Sequence, residues 1–133
     1  MQKPQPSSEY LVLSRGQWDA HLSPEEIQAA IDDFYAWHGQ LVAAGRMRAG
    51  SRLTREGKRV SRQAVVDGPF SESKEIIGGY WHVIAGSLDE AAALMARNPT
   101  LAYGLEFEIR PLDPERASAF AASNETPAAR AEA

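Results

Sequence analysis

Residues 78–97 read GGYWHVIAGSLDEAAALMAR, and this stretch decides the fold. Tyr80 to Ala85 is rich in aromatic and β-branched residues, which suit a half-buried pleated surface, so it reads as a strand. Ser87-Leu88-Asp89-Glu90 has the pattern of a capping box, in which the serine and glutamate satisfy free N–H groups of a first helical turn. The helix it opens runs to about Arg97 and stops before Asn98-Pro99, because a residue ahead of proline is pushed out of the helical region. Leu105-Glu106-Phe107-Glu108-Ile109-Arg110 then alternates strictly, the period of a strand with one buried face, and Pro111 ends it.

The first half mirrors this. Glu9 to Ser14, EYLVLS, is short, apolar and bounded by Arg15-Gly16, and reads as the first strand. Ser23-Pro24-Glu25-Glu26 starts a helix with a cap, a proline at the first position and a second capping box. Ile27, Ala30, Ile31, Phe34, Trp37, Leu41 and Val42 follow at helical spacing, and Gly45 supplies the stop, so helix one covers about 24–44. Residues 46–62 lack helical period. Arg52-Leu53-Thr54 and Arg59-Val60-Ser61 flank Glu56-Gly57-Lys58, which predicts a small exposed hairpin reversing at Gly57. Gln63-Ala64-Val65-Val66 is expected to be the second core strand, broken by the turn Asp67-Gly68-Pro69-Phe70. The order is β-α-β-β-α-β, a ferredoxin-like α+β fold. It predicts a four-stranded antiparallel sheet with both helices on one face, and the other face bare. One domain is expected over 9–112, after a loose arm at 1–8. The Ala-, Glu- and Ser-rich tail at 113–133 reads as a weak helix or disorder.

Composition narrows the function. The chain has 133 residues, 44% of them hydrophobic, which supports one modest core. With no cysteine, disulfides, thiolate catalysis and Cys-based zinc or iron–sulfur sites are excluded. No apolar run approaches the roughly 20 residues of a membrane span, and MQKPQPSSEY has no apolar signal-peptide core, so a cytoplasmic setting is expected. A net charge of −4 argues against a nucleic-acid partner. The charge is uneven: residues 46–62 hold seven of the fourteen basic residues against Glu56 alone, a net of +6, which leaves −10 elsewhere.

Val66-Asp67-Gly68-Pro69-Phe70-Ser71-Glu72-Ser73-Lys74-Glu75, followed by Gly78-Gly79-Tyr80, resembles the signature of the DGPF branch of the YCII-related family. The early Ser23-Pro24-Glu25-Glu26 and the late Glu106-Phe107-Glu108-Ile109-Arg110-Pro111 fit it too. The resemblance implies a dimeric α+β barrel, in which two sheets pack face to face and cover the bare side. Some relatives carry a His–Asp pair, one branch includes a chloromuconolactone-dehalogenating enzyme, and DGPF-type domains occur beside extracytoplasmic-function sigma factors. Relatives often have Asp-Pro after helix two, where this chain has Asn98-Pro99.

Alternation puts Tyr80, His82 and Ile84 on one face of their strand, and Glu106, Glu108 and Arg110 on the bare face of theirs. In a homodimer these would line a shared cavity. His82 is the candidate acid–base group, with Tyr80, Glu106 and Glu108 around it and Asp67 at the rim. The alternative is a polar interface network at His82 and a plain Asx-turn at Asp67. His38 follows Phe34 by four, near the buried helix stripe, and is a further pocket candidate or a structural histidine. Arg52, Arg55 and Arg59 are candidates for anion binding, or belong to a solvated hairpin. The three histidines have no metal-ligand spacing, and P-loop, GxGxxG and GxSxG motifs are absent, so neither metal nor cofactor is expected. The expected function is binding, and conversion if any, of a small polar metabolite in a homodimer cavity. The competing expectation is a non-catalytic accessory module that acts on a protein partner through its basic segment.

Overall fold

Ser23 caps the first helix in the computed structural model, which describes residues 7–68 and 76–127. Its hydroxyl accepts the Glu26 N–H at 3.1 Å, and the Glu26 carboxylate accepts the Ser23 N–H at 3.1 Å. The helix that follows, α1, spans Pro24–Ala43. Gly45 ends it at φ +74°. The Gly45 and Arg46 N–H groups donate back to the Val42 and Leu41 carbonyls at 3.0 and 2.8 Å, the paired bonds of a Schellman stop. The second helix, α2, spans Leu88–Met95. Ser87 caps it through the Glu90 N–H, but Glu90 reaches one residue further back, to the Gly86 N–H at 3.1 Å.

The strands are β1 (Ser8–Gly16), β2 (Met47–Arg52), β3 (Lys58–Val60), β4 (Val65–Asp67), β5 (Gly79–Ala85) and β6 (Leu105–Pro111), and a short 3-10 helix covers Pro99–Tyr103. Four of them form one sheet in the order β2-β5-β1-β6, with every neighbouring pair antiparallel. This is the expected ferredoxin-like α+β arrangement. The helices cover the face built by Tyr10, Val12 and Ser14 of β1 and by Trp81, Val83 and Ala85 of β5, all buried. Phe34 of α1 meets Trp81 edge-on at 5.2 Å, and Leu94 and Met95 of α2 complete the core.

One expected element is placed differently. The second core strand is Met47–Arg52, not residues 63–66. Val65–Asp67 instead pairs with Lys58–Val60 as a separate two-stranded sheet, which turns at residues 61–64 rather than at Gly57. β2 is an edge strand that buries only Met47, so its sequence shows no alternation. Gly50 sits at the irregularity between Arg48 and Ser51, where an added Cβ would lie 1.7 Å from the Tyr80 carbonyl oxygen. Close approach of the edge strand therefore requires glycine here. Between β6 and residue 127 the chain makes turns and bends without a helix. Of the turn Asp67-Gly68-Pro69-Phe70, Pro69 and Phe70 lie outside the described residues, as do residues 71–75 of the motif that follows.

Candidate functional site

The open face of the sheet carries Glu9, Leu11, Leu13 and Arg15 of β1 between His82 and Tyr80 on one side and Glu108 on the other. Its charges pair in ladders. Glu9 lies 3.5 Å from Arg48 and 3.7 Å from His82 Nδ1. Glu108 lies 3.3 Å from Arg15 and 3.2 Å from Arg110. At 3.7 Å the imidazole is beyond hydrogen-bond reach of Glu9, and Nδ1 has no bonded partner among the described residues. Tyr80 meets the His82 ring edge-on at 6.2 Å. His82 thus has Glu9 and Arg48 as charged neighbours, not Glu106 or Glu108. β1 lies between β5 and β6, so two strand spacings, roughly 10 Å, separate them.

A cavity of about 250 Å³ opens on the other side, between α1 and the sheet. Five aromatic side chains stand in its wall: Phe34 and Tyr35 from α1, Trp81 from β5, Phe107 from β6, and Trp18 from the β1–α1 connection. Among its polar members are Ser14, Thr100 and Arg52. Arg52 is held by its Nε–H, which donates to the Gly78 carbonyl at 3.1 Å. No carboxylate among the described residues pairs with it. Thr100 stands in the 3-10 helix capped by Asn98. The Asn98 amide oxygen accepts the Thr100 N–H at 2.9 Å and lies 2.7 Å from the Thr100 hydroxyl. Asn98 Nδ2 is buried without a partner among the described residues.

The other expected residues are scattered. His38 is buried on α1, stacked on Phe34 at 5.6 Å, on the opposite side of the sheet from His82. It lines neither the cavity nor the open face. Asp67 pairs with Lys58 across the exposed β3–β4 hairpin, and the turn it was expected to open continues outside the described residues. Of the three arginines considered for anion binding, Arg52 alone lines the cavity, while Arg55 and Arg59 are exposed on and beside the hairpin. Sequence reasoning missed Trp18 and Tyr35. A tryptophan in an otherwise polar connection was a usable signal, because such a ring needs something to pack against. Among the described residues no group of histidines and carboxylates is placed to hold a metal ion. No helix among them is long and apolar enough to cross a membrane.

Helices on one face of an antiparallel sheet in the order β2-β5-β1-β6, with a cavity beneath the first helix, define a ferredoxin-like α+β protein. The chain belongs to the YCII-related domain family, whose profile matches residues 8–115. Among solved structures it is similar to the 5-chloro-2-hydroxyhydroquinone dehydrochlorinase of Burkholderia phenoliruptrix AC1100, in complex with 2,5-dihydroxybenzoquinone. That match has 15% identity and a TM-score of 0.44, and covers 79% of this chain and 93% of the other. It is also similar to the At3g17210 protein of Arabidopsis thaliana, with 15% identity, a TM-score of 0.39, and 85% and 99% of the two chains covered. No curated protein sequence matches it.

Proposed function

We propose that the protein binds a small single-ring molecule carrying one acidic group, in the cavity between α1 and the sheet. The observation that carries this reading is Arg52, a guanidinium without a carboxylate partner among the described residues, on the wall of a cavity that also presents five aromatic side chains. Size supports one ring. An apolar space of about 150 Å³ holds benzene, and drug-sized ligands occupy roughly 300–1,000 Å³. At about 250 Å³ the cavity lies between the two. Flat aromatic walls suit a ring, and a guanidinium offers parallel N–H groups to a carboxylate.

The described wall of this cavity holds no histidine and no carboxylate, so the reading is one of binding. An acid–base role for His82 would belong to the open face, on the far side of the sheet. A second copy of the chain is the cover proposed for that face. Leu11, Leu13 and Ile84 stand half-buried there among charges that can pair again across a twofold axis.

Thermal shift and calorimetry with benzoate, on the full chain, test the binding reading. Benzoate at 100 times its dissociation constant adds about 2.7 kcal/mol of stability, an easily read rise in Tm. Arg52→Gln should weaken binding about tenfold or more, because hydrogen bonds to charged groups contribute roughly 1.5–3 kcal/mol. Ring acids that leave Tm unchanged, or an Arg52→Gln protein that binds as well as wild type, would overturn it. The accessory-module reading keeps one observation in its favour. The basic hairpin is exposed throughout and displays Val60 at 74% exposure. Partner capture indifferent to Arg55→Glu and Arg59→Glu would remove it.

A further inference from the structure

We infer that Asn98, acting through Thr100, makes the cavity select a ring acid that also carries a hydroxyl group. This rests on the reading of the cavity as a binding site with Arg52 in its wall. Proton direction decides what Thr100 can offer. The Thr100 backbone N–H can only donate, so the Asn98 atom 2.9 Å from it is the amide oxygen. That fixes which way the amide is turned. The same oxygen lies 2.7 Å from Thr100 Oγ1. An amide oxygen has no proton to give, so the threonine hydroxyl donates this bond. Both residues are 3% exposed, so bulk water does not compete for it.

Thr100 therefore offers the cavity lone pairs only. A ligand carbonyl, ether or carboxylate oxygen beside it would meet another acceptor. A ligand O–H would be satisfied. Arg52 has the reverse character, with donors only. The two approach from opposite edges of the sheet: Arg52 ends β2, and Thr100 precedes β6. The wall is thus polarised, with an acid-binding edge and a hydroxyl-binding edge. The ligand's two groups must stand apart on the ring, in a 1,3 or 1,4 arrangement rather than side by side. Asn98 touches no ligand in this account. It is a positioning residue that consumes one proton.

The test compares 3- and 4-hydroxybenzoate with 3- and 4-fluorobenzoate by calorimetry on the full chain. Fluorine is close to hydroxyl in size and donates nothing. The better hydroxybenzoate should bind about tenfold or more tighter than its fluoro partner, since a site built to bond a hydroxyl leaves a buried polar group unpaired without it. The 2-hydroxy isomer should show no such gain over 2-fluorobenzoate. Thr100→Val should abolish the gain, and Thr100→Ser should keep it. Asn98→Ala should reduce it by freeing the threonine proton. Asn98→Asp should restore it, because a carboxylate oxygen accepts both Thr100 bonds. Equal wild-type binding of hydroxy and fluoro acids, with both weakened by Arg52→Gln, would overturn this inference and leave the cavity standing. No binding by any of them would overturn both.

Discussion

One residue apart on β5, the surroundings reverse. Trp81 and Val83 are buried beneath the helices, while Tyr80 and His82 look out from the open face, His82 beside an acid and an arginine. The same holds on β1, where Val12 has no exposure and its neighbours Leu11 and Leu13 are half-buried. The helix face is held by apolar area, at roughly 25 cal/mol for each Å² removed from water. The open face is held by partly exposed ion pairs, each contributing about 0–1 kcal/mol. The comparison teaches that one face provides stability and borders a cavity, while the other carries the paired charges and stays open.

Five measurements break or sharpen that contrast. Trp81→Ala removes the ring that joins α1 to the sheet and walls the cavity. It should cost about 4 kcal/mol in urea unfolding and abolish ring-acid binding. A cost below about 1 kcal/mol would show that α1 is not seated there. Leu13→Glu puts a carboxylate in the middle of the open face. It should leave the protomer folded and weaken self-association by a factor of about 100, or about 2.7 kcal/mol, in sedimentation. A dimer that persists would show that this face is not the contact. Ser23→Ala should cost about 1 kcal/mol, because it opens the reciprocal cap.

That cap also predicts a pH dependence. Backbone and hydroxyl hydrogen bonds from Ser23 hold the Glu26 carboxyl below its ordinary value of 4.5, helped by the charge of His21. A lowered folded pKa means that the contribution is present above the unfolded value. It is lost as pH falls through the folded one. Wild type should therefore lose slightly more stability than Glu26→Gln in that acid window. Smallest of all, Val60→Thr on the exposed hairpin should change protomer stability by less than about 0.5 kcal/mol. A larger loss would mean that the hairpin is packed against something in solution.

The contrast between faces also explains what could be read from sequence. β1, β5 and β6 have alternating buried and open residues, and both helices open on the sequence pattern of a capping box, so five of the six core elements were legible. β2 was not. MRAGSR buries one side chain at a sheet edge, and its pairing depends on Gly50 fitting against Tyr80, which no local pattern records. Val65 and Val66 carried the stronger strand signal but lie in the hairpin. β-propensity reports a fit to a pleated surface, not which sheet will use it. The partners of His82 were hidden for a similar reason: alternation gives the face, but only strand order gives the neighbour. The cavity was less legible still. Trp18, Tyr35, Arg52 and Thr100 come from four different elements and converge only after packing.

The hairpin interrupts the connection between two strands that are partners in the sheet, with Arg52 opposite Gly79. Residues 53–78 therefore form a closed excursion from a junction already clamped at both ends. Each doubling of such a loop costs only about 0.6 kcal/mol in closure entropy. Length at this point is only weakly constrained by closure entropy, and the same junction is the natural place to splice in a reporter peptide or a new recognition loop beside the cavity wall at Arg52 and Gly78.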